Sequence, residues 1–215
     1  MLVGAAMAAL VLVMAGAAGA QDIGCKGDIV LDPGHGGTDM GAVYDKNGIS
    51  LTEKAEVLEV AYLLKGLLQD GYGPYYDVCM TRTANSETLS NKDRYTYANT
   101  TGAKILVSIH MNGSSSDATD YTTTLFGKWQ KDKALALTVF NSLSALPSAS
   151  GAGTIATRKP YSYASGVLLK SNMPATIAET VFITNTREAQ LLSAGTTRHQ
   201  QIAAALEQGI NNYLK

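Results

Sequence analysis

The chain has 215 residues, room for one ordinary domain and not for two. With 17 basic and 18 acidic residues the net charge is −1, which excludes the broad basic surface of a nucleic-acid binder. Hydrophobic residues make up 46%, enough to build a real core.

The first twenty residues carry no charge and end in Ala18-Gly-Ala20 ahead of Gln21, the small-residue pattern of a leader cleavage site. A secretory signal peptide is expected over 1–20 and a mature domain over 21–215. The usual Lys or Arg near the start is missing, and the apolar run also has the length of a marginal membrane anchor. Export permits a disulfide between Cys25 and Cys79. Two separate buried thiols are the alternative.

Ile29–Asp32 reads as a strand leading into Leu31-Asp-Pro-Gly-His-Gly-Gly-Thr38, a glycine-rich turn with a histidine at its centre. Residues 39–48 look irregular. From Leu51 to Leu68 the apolar positions Val57, Leu58, Ala61, Leu64, Leu67 and Leu68 recur at helical spacing. A strand is expected over Tyr75–Thr81, then a polar-faced helix over Leu89–Thr100 that ends near Gly102. Lys104–Ile109 is an apolar run suited to a fully buried strand, and the Thr-rich Tyr121–Phe126 suits another. A helix follows over Lys131–Leu143, a loop over Ser144–Ser165, strands over Gly166–Lys170 and Ala175–Phe182, and a closing helix over Arg198–Leu214. Strands alternating with helices predict an α/β fold: a single domain with a mostly parallel central sheet of about six strands, flanked by helices on both faces.

Of the three histidines, His35 and His110 each follow a strand. Ligands in such sheets bind beyond the carboxyl ends of the strands. Two imidazoles there suit a zinc site, and equally two satisfied structural histidines. A phosphate cradle is disfavoured, because Gly34-His-Gly-Gly37 does not match GxGxxG and no helix is expected directly after it. Ser50-Leu-Thr-Glu53 fits a capping box, so periodicity alone assigns Glu53 to a helix start. Glu179 lies in a strand that otherwise reads as buried, where a carboxylate needs a partner. It is either an ion-pair member, with Arg187 as a candidate, or a general base. His199 is assigned to the surface, and Arg82 and Arg94 to structural ion pairs.

Several separated motifs together resemble the zinc-dependent N-acetylmuramoyl-L-alanine amidases of the third amidase class, which cut bacterial peptidoglycan. They are IVLDPGHGGTDMGAV (29–43), LTEK (51–54), VCMTR (78–82), LSNKDRYTYAN (89–99), VSIHMN (107–112) and MPATIAETVFITN (173–185). The resemblance implies Zn2+ held by His35, Glu53 and His110, and Glu179 as the catalytic residue, with Phe182 and Asn185 completing its motif. It implies hydrolysis of the amide between N-acetylmuramic acid and L-alanine by a zinc-activated water. Asp32 is a candidate to orient His35, and Asn112 to touch substrate. Two departures, Val181 for a glycine and Met111 for an alanine, bear on substrate fit. A non-catalytic peptidoglycan-binding module and a zinc carboxypeptidase acting on the stem peptide are the alternatives. The expected partner is peptidoglycan, with no nucleic acid and no lasting membrane insertion after signal cleavage. The expected state is a periplasmic or extracellular monomer. Only Asn112–Asp120 separates the second histidine motif from the next strand, so no inhibitory helix is expected there.

Overall fold

A computed structural model describes residues 24–70 and 73–215, so the expected signal peptide lies outside the described residues. In chain order the elements are β1 (Ile29–Pro33), β2 (Val43–Lys46), β3 (Ile49–Thr52), α1 (Glu53–Asp70), β4 (Val78–Met80), α2 (Asn91–Thr101) and β5 (Ile105–Asn112). There follow β6 (Thr123–Phe126), α3 (Trp129–Leu143), β7 (Tyr161–Ser162), α4 (Gly166–Lys170), β8 (Ala175–Phe182), α5 (Thr186–Ser193) and α6 (Thr197–Leu214).

Six strands form one sheet in the order β4-β1-β5-β8-β6-β7. All neighbours are parallel except β6 and β8. The chain leaves β1 for β4 on one side and reaches β5 on the other. That reversal opens a crevice beyond the carboxyl ends of β1 and β5. The central strands are apolar and buried along most of their length, as expected for strands covered on both faces.

Side chains alternate across a strand, so each strand feeds two cores. Ile29, Leu31, Ile105, Val107 and Ile109 pack under α1, α3 and α6 with Leu64, Leu135 and Leu206. Val30, Leu106, Ala175 and Ile177 pack on the opposite face with Tyr97 of α2 and Leu168 of α4. Burying one such large apolar side chain contributes about 1.5–3 kcal/mol. Cys25 and Cys79 are joined by a disulfide, tying the segment before β1 to β4.

Three local expectations are corrected. Gly166–Lys170 is a short helix, not a strand. Its apolar run suits either state, and one helical turn buries Val167 and Leu168 against the sheet. The edge strand β7 falls in the stretch expected to be loop, and two residues are too few to show a period. Residues 43–52, partly read as irregular, form the β2–β3 hairpin. Its turn is Asn47-Gly48, at φ of 57° and 76°, the Asn-Gly pair favoured where both turn residues need positive φ.

Candidate metal and catalytic site

Strand parity selects the residues of the site. Asp32, Ser108, His110 and Glu179 share the face of Val30, Leu106 and Ile177, the side covered only by α2 and the short α4. Asp32 pairs with Ser108 and His110 with Glu179 across the sheet. Beyond α4 this face opens into a groove of about 640 Å³, lined among others by His35, Glu53, His110, Asn112, Tyr161 and Glu179.

Three of the candidate residues converge at its floor. Glu53 Oε1 lies 2.9 Å from His110 Nδ1 and 3.1 Å from His35 Nε2. One ligand atom from each of His35, Glu53 and His110 lies within 4.8 Å of the others. The imidazoles meet edge to face, with ring centres 4.9 Å apart. The Glu53 carboxylate is aimed by the backbone: Met111 N–H donates to Oε1 at 3.0 Å and Ala42 N–H to Oε2 at 2.8 Å. Burial would raise its pKa, but hydrogen bonds and charge from His110 and His35 outweigh that and hold it well below the usual carboxylate range. Glu53 therefore does not close the expected capping box. Ser50 belongs to β3, and the reciprocal capping box of this fold joins Ser90 and Asp93 at α2.

The loop after β1 is shaped around these side chains. A Cβ at Gly34 would fall 2.3 Å from the His110 ring. A Cβ at Gly41, whose φ is +67°, would fall 2.5 Å from Glu53 Oε2. His35 itself has φ 58°, a left-handed conformation that costs a non-glycine residue on the order of 1–2 kcal/mol. Two buried arginines hold it there. Arg94 donates to the carbonyls of Pro33 at 2.8 Å and His35 at 2.6 Å. Arg82 donates to those of Pro33 at 3.0 Å and Gly34 at 2.7 Å. Arg94 is also the expected ion-pair member, 2.7 Å from Asp32, whereas Arg82 serves chiefly as a clamp on carbonyls.

This donor set fits a zinc ion. Zinc favours imidazole nitrogen and carboxylate oxygen, and a tetrahedral ion with bonds of about 2.1 Å spaces its ligand atoms by about 3.4 Å. The contacts of 2.9 and 3.1 Å are close to that spacing.

The partner of His35 is not the one expected. Its Nδ1 lies 2.9 Å from Asp39 Oδ2, and Asp39 Oδ1 accepts the Gly41 N–H at 3.1 Å. The Asp32 carboxylate is fully engaged by Thr81 Oγ1 at 2.6 Å, Ser108 Oγ at 2.6 Å and Arg94 Nη1 at 2.7 Å. Asp39 escaped the sequence reading. Its i, i+4 spacing from His35 is a helical signal, but here it spans a turn.

Glu179 stands on the groove wall beside His110. Burial pushes its carboxyl above the usual range; the His110 charge opposes this and the Glu53 charge adds to it. Arg187, its alternative partner, instead donates to the Ser150 carbonyl at 3.4 Å. Phe182 packs against Tyr121 with ring centres 4.6 Å apart, and Asn185 caps α5 by accepting the N–H groups of Arg187 and Glu188. Val181 is fully buried in the core under α3 and α6, so its bulk fills that core and does not narrow the groove. The Met111 side chain lies in the same core. His199 is buried, not on the surface, with Nε2 2.7 Å from Glu56.

The sequence profile of a family described as N-acetylmuramoyl-L-alanine amidase matches residues 29–212. The chain is 31% identical over 174 residues to the N-acetylmuramoyl-L-alanine amidase CwlM of Bacillus licheniformis, spanning 77% of this chain and 60% of that one. It is 30% identical over 239 aligned positions to the N-acetylmuramoyl-L-alanine amidase AmiA of Escherichia coli, spanning 90% and 78%. Among solved structures, the catalytic domain of CwlV from Bacillus (Paenibacillus) polymyxa var. colistinus superposes with a TM-score of 0.74 at 28% identity, covering 86% of this chain and 97% of that one.

Proposed function

Because the chain belongs to the N-acetylmuramoyl-L-alanine amidase family, we propose that it hydrolyses the amide joining N-acetylmuramic acid to L-alanine in peptidoglycan, with zinc at His35, Glu53 and His110 and Glu179 as general base. The observation that carries this reading is the convergence of His35 Nε2, His110 Nδ1 and one Glu53 oxygen on a single point, with Glu179 beside it in an open groove.

Zinc bound there supplies a Lewis acid that lowers the pKa of water and polarises the scissile carbonyl. The protein contributes the rest. Backbone donors at Ala42 and Met111 keep the Glu53 carboxylate aimed at the two imidazoles. Asp39 accepts from His35 Nδ1–H, which fixes the ring and leaves Nε2, beside Glu53, as the nitrogen whose lone pair a metal would take. Glu179 takes the proton of the attacking water on its carboxylate and returns it to the departing L-alanine nitrogen. A carboxyl poised above its ordinary pKa suits that exchange. The groove leaves the three side chains open to water and substrate.

The Cys25–Cys79 disulfide supports export, since such bonds persist in oxidising compartments. We read 1–20 as the cleaved signal, 21–215 as the catalytic domain, and the site of action as periplasmic or extracellular.

Metal analysis together with mass spectrometry of digested muropeptides tests this reading. The expected result is one zinc per chain and release of stem peptides beginning with L-alanine. Shortened stem peptides would mark a carboxypeptidase, and intact muropeptides a binding module; either overturns the assignment.

A further inference from the structure

One wall of the groove carries a feature that the zinc chemistry does not use. Tyr161 lines the groove with Glu179. The Arg158 guanidinium lies over the Tyr161 ring, 5.0 Å from its centre, and its Nη1 lies 3.4 Å from the Tyr121 hydroxyl. Its backbone is fixed as well, because Arg158 N–H donates to the Thr122 carbonyl at 3.0 Å and Thr122 pairs with Thr157. The Tyr121 ring is itself packed on Phe182 at the end of β8. Arg158 is thus an exposed cation held in place by two aromatic side chains on a braced strand edge.

Its charge has no local use. Among the described residues no carboxylate pairs with Arg158, whereas Arg94, the arginine on the groove floor, is committed to Asp32. Apart from Arg94 and the two histidines, the ionisable groups near the centre of the lining are carboxylates, among them Asp39, Glu53 and Glu179. Burial pushes the Tyr161 hydroxyl up; the Arg158 charge opposes this and the Glu179 charge adds to it.

We propose that Arg158, held by Tyr161 and Tyr121, is a specificity residue that binds a free carboxylate on the peptide portion of the substrate. The inference rests on the amidase reading above. Glu179 pairs with Thr123, and the segment around Arg158 is the next strand out, so the two lie about two strand spacings, roughly 10 Å, apart. An extended peptide covers that span in about three residues. A carboxylate a short way along the peptide from the scissile amide therefore reaches the guanidinium. Guanidinium is the group suited to planar, two-pronged recognition of a carboxylate. The carboxylates sit on the peptide and not on the neutral N-acetyl sugar next to the scissile bond, so Arg158 also marks the peptide side of the groove.

The test uses the zinc-loaded protein and two soluble muropeptides that differ only in whether the stem-peptide carboxylates are free or amidated. The wild-type protein is expected to show a KM about tenfold lower for the free acid, the worth of one charge-assisted hydrogen bond. Arg158→Gln is expected to raise KM for the acid about tenfold, bringing the two substrates level, with kcat little changed. Lys159→Gln, which removes the adjacent charge but none of the aromatic contacts, is expected to keep the preference. Three outcomes overturn the proposal: a preference that survives Arg158→Gln, an equal loss of kcat on both substrates, or a preference lost equally in Lys159→Gln. Cleavage of neither substrate by the wild-type protein would instead overturn the amidase reading, and this inference with it.

Discussion

Two polar clusters lie on the same face of the sheet, and each is built on a carboxylate withdrawn from solvent. Asp32 on β1 meets Thr81, Ser108 and the permanent charge of Arg94. Glu53, at the start of α1, meets two imidazoles and two backbone N–H groups at the floor of an open groove. Both carboxylates are held below their ordinary pKa against the cost of burial. The difference lies in the partners. Those of Asp32 are two hydroxyls and a guanidinium that also holds the loop carbonyls, so that cluster is scaffold. Those of Glu53 include imidazole nitrogens that carry lone pairs when neutral, so the same attraction can be handed to a cation. Burial of a charge does not distinguish structure from function; the chemistry of its neighbours does.

The largest effect is expected at Glu179, on the open side of the site. Glu179→Gln keeps the shape and removes the proposed base, so the rate of muropeptide cleavage is expected to fall by about 10²–10⁴, with zinc content unchanged by metal analysis. A variant of undiminished rate would remove Glu179 from the chemistry. At the Asp32 cluster the loss should appear as stability. Asp32→Ala leaves Arg94 buried without its counter-ion and is expected to cost about 3–5 kcal/mol in urea unfolding. A cost within about 0.5 kcal/mol would show that the cluster is not the scaffold described.

A smaller effect is expected at Asp39. Removal of the hydrogen-bond acceptor behind a ligating histidine typically weakens metal binding by about 10–100-fold. Asp39→Ala should therefore lower zinc affinity by that factor in chelator competition and leave the unfolding midpoint of the metal-free protein close to wild type. Equal affinities would make Asp39 a turn residue and nothing more.

The smallest effect is one of pH. Charge and hydrogen bonds from Arg94, Ser108 and Thr81 outweigh burial and hold the Asp32 carboxyl below its ordinary value of 3.8. The folded state then binds this proton less readily than the unfolded chain. Stability from Asp32 is complete above that ordinary value and is lost as pH falls through the lowered folded value. The stability gap between wild type and Asp32→Ala should be flat from neutral pH to about pH 5. Below about pH 4 it should shrink. A gap that shrinks toward alkaline pH would contradict the assignment.

Much of this arrangement could be read from the residues in order. The apolar runs of β1 and β5 announced buried strands, and Asn-Gly at 47–48 was a hairpin signal that the irregular composition around it obscured. β7 was hidden because a two-residue edge strand exists only by pairing with β6. The Gly166–Lys170 run, apolar and short, carries no period long enough to separate helix from strand. At the site, His35 and His110 stood out as histidines placed after strands, but Glu53 by itself looked like a helix cap. Its actual donors, Ala42 and Met111, are 11 and 58 residues away in the chain.

The class of fold follows from the alternation of strand and helix patterns along the chain, and the residue types present set what is available for zinc chemistry. The side-chain period of two carries the alternation of faces along β1 and β5. In β8 a register irregularity breaks it, leaving Glu179 in the groove and Val181 in the opposite core. Tertiary structure alone decided which carboxylate serves which histidine, that Asp39 and not Asp32 backs His35, and that Arg158 stands beside Tyr161 at the groove. Those outcomes depend on distances between segments far apart in the chain. They are set by how loops close over the sheet, and no local pattern of residues encodes that closure.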